Sequence, residues 1–197
     1  MQNTVHDEEF RLYRTYGTSL SGCIVEGHKI NFRDYFKRVH GPLPYDQYLT
    51  KDPELREVLR ALPGRRVGFT NSDSVHTAKV LAALGISDCF HDMFTFEKFN
   101  PAETAEKVLC KPNPEVFTKV LADLRITDPS TVVFLDDSRS NIKAGKAAGL
   151  FTVIVGSDEK CEGADAAVKS LKDIMQHVPE LFGKGGSCAA HQPLDSV

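Results

Sequence analysis

The sequence predicts an α/β fold built on a parallel sheet, and one stretch carries most of that prediction. Residues 131–156 read TVVFLDDSRSNIKAGKAAGLFTVIVG. Two predominantly apolar runs of strand length, Val132–Leu135 and Phe151–Val155, flank a segment in which apolar residues have helical spacing. A strand, a helix and a second strand in this order form a βαβ unit, whose strands run parallel and are covered by helices.

Two adjacent acids stand where the first of these strands ends. Asp136 and Asp137 follow the apolar run directly, and Ser138 is placed to cap the helix. Open α/β sheets bind ligands at the carboxyl ends of their strands, and neighbouring carboxylates repel unless a cation such as Mg²⁺ compensates them. The alternative is that one acid favours the helix N-terminus while the other is solvated. The pair by itself leaves both interpretations open.

Composition limits the classes of function. The chain has 197 residues, of which 41% are apolar and 26% are charged. These values are typical of one globular domain, or of a domain with a small insertion. A net charge of −3 without a Lys/Arg run argues against nucleic acid as a partner. Five widely spaced cysteines without a C-x-x-C motif indicate neither a disulfide framework nor a zinc site.

The hydropathy pattern bears on localisation. No apolar stretch approaches the roughly 18 residues that a membrane span needs. The polar start MQNTVHDEEF is not a secretory signal. We therefore expect a reducing compartment, the cytoplasm or also the nucleus, and no membrane partner. Residues 183–197 are predicted to form a flexible tail.

Residues 1–50 are predicted to form a small helical subdomain, separate from an α/β core over residues 51–182. Apolar residues recur in the first segment at spacings of three and four, and Gly17 and Gly41 are placed to end helices. The many aromatic residues of this segment are more typical of a helix core than of a binding site. His40 receives the same structural interpretation.

Two segments of the core place polar side chains near predicted strand ends. A short strand, Arg66–Phe69, ends at Thr70 and Asn71 before a helix begins. Their hydroxyl and amide, with the backbone N–H groups of that helix, could hold a phosphate. Lys111, locked before Pro112, could balance the charge of the phosphate and of the two acids. Ordinary turn, cap and solvated roles are the alternatives for these residues.

Local patterns predict the remaining elements. Asp52 caps a helix that begins at Pro53, and Asn113 caps a helix that begins at Pro114. The patterns also predict strands at Asp92–Phe96 and Gly163–Val168, a surface position for His76, and a closing helix over residues 171–182.

In their fixed order, these pieces resemble a known family. They are Thr70-Asn71, Lys111-Pro112, and Asp136-Asp137 with Asn141. They resemble the second, third and fourth motifs of the haloacid dehalogenase-like hydrolases. The segments YGTSLSGCIVEGHKINFRDYF, LPYDQYLTKDPELREVL and FTNSDSVHTAKVLAALGI are similar to the pyrimidine 5′-nucleotidase group of that superfamily. The resemblance implies a Rossmann-like parallel sheet with a small helical cap and Mg²⁺-dependent hydrolysis of phosphate monoesters. The implied substrate is a small phosphorylated metabolite, in this group a nucleoside 5′-monophosphate.

The resemblance also implies a role for each matching residue. A hydroxyl would bind the phosphate with an amide in support, a lysine would steady the charge of the nucleophile and the phosphoryl group, and an acid pair would hold Mg²⁺. The residues are Thr70 and Asn71 for the phosphate, Lys111 for the phosphate and for charge stabilisation, Asp136 and Asp137 for the metal, and Ser138 and Asn141 in support.

The chain departs from the family at the first motif. Family members carry a D-x-D pattern on the first, central strand, which supplies the nucleophile and the general acid/base. No D-x-D follows an apolar run in this sequence. We expect this strand to be absent, which leaves its neighbours at twice the usual spacing of about 4.8 Å. Two functions stay open: an enzyme in a longer, intact form that carries the strand, and a non-catalytic phosphate- or nucleotide-binding protein.

Overall fold

The first quarter of the chain forms four helices, of which the first three begin at polar capping residues. The computed structural model describes residues 4–182, so the predicted tail at 183–197 lies outside the described residues. Thr4 caps the first helix by accepting a hydrogen bond from the backbone N–H of Asp7, and Gly17 ends it with a φ of 85°. The four helices are α1 (Val5–Tyr16), α2 (Ser19–Val25), α3 (Phe32–Val39) and α4 (Tyr45–Tyr48).

Strands and helices alternate through most of the remaining chain, which confirms the α/β prediction. The strands are β1 (Val67–Phe69), β2 (Asp92–Phe94), β3 (Val133–Asp136), β4 (Phe151–Val155) and β5 (Ala166–Val168). The helices are α5 (Pro53–Ala61), α6 (Ser74–Leu84), α7 (Phe96–Phe99), α8 (Pro114–Asp123), α9 (Arg139–Ala147) and α10 (Ile174–His177). None of the helices in the described part of the chain is long and apolar enough to cross a membrane.

The prediction of one closing helix over residues 171–182 is wrong. The α-helix in this segment, α10, has four residues, and a 3₁₀ turn lies on each side of it. Pro179 has no N–H to donate and disfavours helical backbone at the residue before it. Val178 accordingly has φ and ψ of −133° and 56°. The segment therefore packs as a series of short turns.

Parallel pairing joins the strands into two separate sheets. β1 pairs with β2, with Phe69 opposite Phe94, and β4 lies between β3 and β5, with Asp136 opposite Ile154. Every observed pair is parallel, as the predicted βαβ unit requires. Within residues 4–182, β1 pairs only with β2 and β3 pairs only with β4, so the other edge of each strand is unpaired. This interruption between β1 and β3 is here called the interstrand gap.

Apolar side chains cover both faces of the larger sheet. On one face, Phe117 of α8 and Ile142 of α9 are buried in a cluster with Phe134. On the other face, Val153 is fully buried in a second cluster with Ile174 of α10. Residues alternate between the two faces of a strand, so a shift of one residue would move every side chain to the opposite face. Because both faces are packed, the register of each strand is fixed, and so is the side chain that lies at its end.

Gly145 allows α9 to approach β3 closely. A Cβ atom at this position would lie 2.7 Å from Cδ1 of Phe134, which is closer than packed atoms approach. We expect Gly145→Val to lower the free energy of unfolding by about 2–3 kcal/mol, because it overpacks the core. Ala147→Val, on the exposed face of the same helix, is the control and should cost less than about 1 kcal/mol. Urea unfolding measures both, and equal losses would contradict the close packing of α9.

Candidate active site

The ammonium group of Lys111 lies between the ends of the two sheets. Its Nζ donates to the backbone carbonyl of Phe69, at 2.6 Å, and to Oδ2 of Asp136, at 2.7 Å. The side chains of Lys111 and Asp136 are only 8% and 6% exposed. The same Nζ lies 4.7 Å from the ring centroid of Phe69 and 5.5 Å from that of Phe134. A buried ion pair with cation–π contacts therefore bridges the carboxyl ends of β1 and β3.

Asn71 holds the backbone of this lysine in place. Its Nδ2 donates to the carbonyl oxygen of Lys111 at 2.9 Å, and its Oδ1 accepts from the Lys111 N–H at 2.8 Å. The side-chain amide of Asn71 therefore bonds to both the N–H and the carbonyl group of Lys111. Asn71 thereby positions Lys111 and links the strand end after β1 to the segment before α8, and its support of a phosphate stays a prediction.

Asp136 receives hydrogen bonds on both carboxylate oxygens. In addition to Lys111, its Oδ1 accepts from the backbone N–H of Ser138 and from Nδ2 of Asn141, both at 2.9 Å. The prediction that Ser138 caps the helix is correct for its position but wrong for its side chain, which makes no capping bond. The Ser138 hydroxyl pairs with the Ser140 hydroxyl instead, and the backbone N–H of Ser138 donates to Asp136.

The Thr70 hydroxyl, in the loop after β1, donates to no acceptor among residues 4–182. Thr70 uses its backbone N–H on the carbonyl of Phe94, at 2.9 Å, and its Oγ1 accepts from the backbone N–H of Ser72, at 3.1 Å. Since the hydroxyl acts as an acceptor in that bond, its own proton stays available to a ligand. Asp73 then caps α6 by accepting from the His76 N–H. The Thr70 hydroxyl is therefore a hydrogen-bond donor at the carboxyl end of β1.

All seven predicted site residues line one cavity of about 220 Å³, here called the site cavity. They are Thr70, Asn71, Lys111, Asp136, Asp137, Ser138 and Asn141. The sequence analysis missed four further lining residues: Tyr13, Gly17, Thr18 and Ser72. Three of these come from the helical subdomain, which therefore forms one wall of the cavity.

Gly17 is the missed residue with a detectable signal. It has a φ of 85°, and a Cβ atom there would lie 2.6 Å from Cδ of Pro112 and 2.7 Å from the carbonyl oxygen of Lys111. The sequence marked Gly17 as a helix stop. Its second role, which is to let the α1–α2 turn pack on the lysine segment, depends on a contact between residues far apart in the chain.

The acid pair offers a limited metal site. Asp137 is exposed, lines the site cavity and makes no hydrogen bond within residues 4–182. Asp136 already accepts three hydrogen bonds, so most of its lone pairs are used. The described residues contain no group of three or more His, Cys, Asp or Glu suited to a metal. This donor set fits Mg²⁺, which often binds one or two carboxylates and keeps its other ligands as water and phosphate oxygens.

Comparisons with known proteins agree with this fold. Residues 14–149 match the family model described as haloacid dehalogenase-like hydrolase. Phosphate metabolism protein 8 of Saccharomyces cerevisiae is 29% identical over 182 residues, which cover 86% of this chain and 56% of that protein. Beta-phosphoglucomutase of Bacillus subtilis is 31% identical over 109 residues, covering 55% of this chain and 44% of the relative. The chain thus spans about half the length of these relatives.

Solved structures share the fold. L-2-haloacid dehalogenase of Xanthobacter autotrophicus superposes with a TM-score of 0.58 at 17% identity, covering 86% of this chain and 85% of that one. The HAD-hydrolase YfnB of Bacillus subtilis, solved with magnesium bound, gives a TM-score of 0.55 at 20% identity, with 88% and 83% covered. At these identities the likeness shows the fold alone. Because the family model spans well over half of the sequence, the chain belongs to the haloacid dehalogenase-like hydrolases.

Proposed function

We propose that the site cavity binds the phosphoryl group of a small phosphate ester, and that a form of the protein with a complete sheet hydrolyses that ester. The position of Lys111 is the observation that carries the proposal, because a buried ammonium group at two strand ends is placed to compensate phosphoryl charge. The names of two relatives are consistent with it: Phosphate metabolism protein 8 and, at 28% identity over 127 residues, a Phosphorylated carbohydrates phosphatase of Thermotoga maritima.

Each residue has a distinct role in this proposal. Thr70 donates its hydroxyl proton to a phosphate oxygen, and Lys111 balances the negative charge from the opposite side. Asp136 keeps the lysine oriented, and Asp137 is the main protein ligand for Mg²⁺, with Asp136 beside it. When bound, the metal would neutralise further charge on the phosphoryl oxygens.

Hydrolysis in this family requires a nucleophilic carboxylate, and we place it in the interstrand gap. A strand there would pair in parallel with the free edges of β1 and β3 and would end beside Lys111. An aspartate at that end would attack phosphorus, expel the ester oxygen and form an aspartyl phosphate, which water then hydrolyses. Without such a strand we expect binding without turnover. The pyrimidine 5′-nucleotidase resemblance makes a nucleoside 5′-monophosphate our proposed substrate.

The second candidate function is non-catalytic binding of a phosphate or nucleotide. It is favoured by one observation: no strand fills the interstrand gap within residues 4–182. The two candidates use the same binding residues and differ only in whether a nucleophile joins them. Binding and turnover must therefore be measured separately.

Thr70→Val should weaken binding of inorganic phosphate about tenfold, because one hydrogen bond to a charged ligand is lost. Calorimetric titration of phosphate into the 197-residue protein measures the dissociation constant. Thr118→Val is the matched control, since Thr118 lies on the exposed face of α8 and bonds only to the carbonyl of Pro114. Equal affinities for both variants would contradict the proposed phosphate site.

Release of phosphate from a panel of nucleoside 5′-monophosphates with Mg²⁺ tests the hydrolytic part. We expect no turnover from residues 1–197 alone, and turnover after fusion of an apolar strand ending in D-x-D before residue 1. The control fusion carries N-x-N in place of D-x-D and should stay inactive. Turnover by the 197-residue protein that is lost in Asp136→Asn would show that another carboxylate supplies the nucleophile, and would overturn the proposal.

A further inference from the structure

A second and larger cavity lies between the helical subdomain and the N-terminal end of α6. Its volume is about 550 Å³, and it shares no lining residue with the site cavity. Here it is called the groove. α3 forms one wall, α6 and α7 form another, and the loop at residues 100–103 closes one end. Its volume is in the range typical of small-ligand sites, which are about 300–1,000 Å³.

The aromatic rings that line the groove form a contiguous row in which each ring contacts the next. Phe36 stacks on His40 with 5.4 Å between ring centroids, His40 lies 4.2 Å from His76, and His76 lies 5.5 Å from Tyr45. Phe96 packs edge-on against Phe36 at 4.8 Å. Such a surface offers flat aromatic faces and edges, against which a planar ligand ring packs better than an aliphatic chain.

The hydrogen bonds around these rings determine which histidine nitrogen atoms are donors and which are acceptors toward a ligand. Burial raises the pKa of Asp73, but bonds from the His76 N–H and the His40 ring outweigh it and hold that pKa below its ordinary value. Asp73 is therefore an ionised acceptor, and Nδ1 of His40 is the donor in their 2.5 Å bond. Tyr45 donates its hydroxyl proton to the carbonyl of His40, so its oxygen accepts from Nδ1 of His76 at 2.9 Å.

His76 consequently presents an acceptor to the groove. Burial lowers the pKa of His76 and the neighbouring His40 lowers it further, against the opposing effect of Asp73, and the net lowering favours the neutral ring. With Nδ1 protonated and bonded to Tyr45, Nε2 carries the lone pair. This nitrogen makes no hydrogen bond to any residue between 4 and 182. The sequence predicted a surface position for His76, but the contacts with His40 and Tyr45 leave it half-buried.

Two cationic side chains at the edge of the groove have no carboxylate partner among the described residues. Lys37 makes no ion pair there, and Lys79 contacts only the ring of Tyr45, at 5.3 Å. The acids of the groove are already engaged. Glu97 accepts from Ser74 and Thr95, and Glu103 pairs with Arg33. Lys37 and Lys79 are therefore the groove cations that an anionic ligand could pair with.

We propose that the groove binds a small planar anion with ring N–H groups, of the class of heteroaromatic carboxylates. The ring packs against Phe36 and the imidazoles, a ring N–H donates to Nε2 of His76, and the anionic group lies near Lys37 and Lys79. The site does not depend on the proposed phosphate chemistry, because the two cavities have no lining residue in common.

Orotate, a pyrimidinedione carboxylate without phosphate, is the probe for this site. We expect its titration into the 197-residue protein to shift the imidazole NMR signals of His40 and His76 saturably, while His28 and His91, which do not line the groove, stay unchanged. Uracil lacks the carboxylate and benzoate lacks the ring N–H, so each should bind at least threefold more weakly. Failure of orotate to move either groove histidine at 10 mM, or uniform movement of all four, would overturn the proposal.

Matched variants separate the groove from the site cavity. Lys37→Gln and Lys79→Gln should each weaken orotate binding about three- to tenfold, whereas Lys107→Gln, an exposed lysine outside both cavities, should leave it unchanged. Thr70→Val should also leave it unchanged. Loss of orotate binding in Thr70→Val but not in the groove variants would show that orotate binds in the site cavity. This result would overturn the groove assignment without contradicting the proposed phosphate site.

Discussion

The ion pair between Lys111 and Asp136 is the interaction on which the rest of the site depends. It is buried, and it connects the ends of two strands that share no backbone pairing. Burying both charges costs desolvation, which is offset here because the ammonium group also bonds to a carbonyl and the carboxylate accepts two further hydrogen bonds. Removing either partner would leave the other as an uncompensated charge at the centre of the molecule.

This ion pair also explains how distant parts of the chain form one cavity. Asn71 fixes the lysine backbone, Gly17 lets the helical subdomain pack against the same segment, and Asn141 orients the carboxylate from α9. Three separate parts of the chain therefore line the site cavity around one charge pair. The groove and the site cavity are neighbours along the chain. Ser72 lines the site cavity, and the next residue, Asp73, lines the groove.

Local sequence patterns predicted the strand ends well and the side-chain partners poorly. Thr70 and Asp136 could be placed because each follows a recognisable apolar strand, and parallel strands bring their carboxyl ends to one edge of a sheet. The sequence predicted that Lys111 balances the acid pair, but not which carboxylate it contacts. The pairing of His40 with Asp73 joins residues 33 positions apart and could not be read from spacing. Tyr13 and Thr18 were missed for the same reason, since their place in the cavity depends on how two subdomains pack.

A double-mutant cycle of Lys111→Met and Asp136→Asn tests most directly whether this ion pair holds the two sheets together. Urea unfolding would give the free energy of unfolding for the parent protein, each single variant and the double variant. Each single change should cost about 3 kcal/mol or more, because it leaves a buried group unpaired, and the double change should cost clearly less than the sum. A coupling energy within about 0.5 kcal/mol of zero would show that the two groups act independently, and would contradict the central role given to the pair.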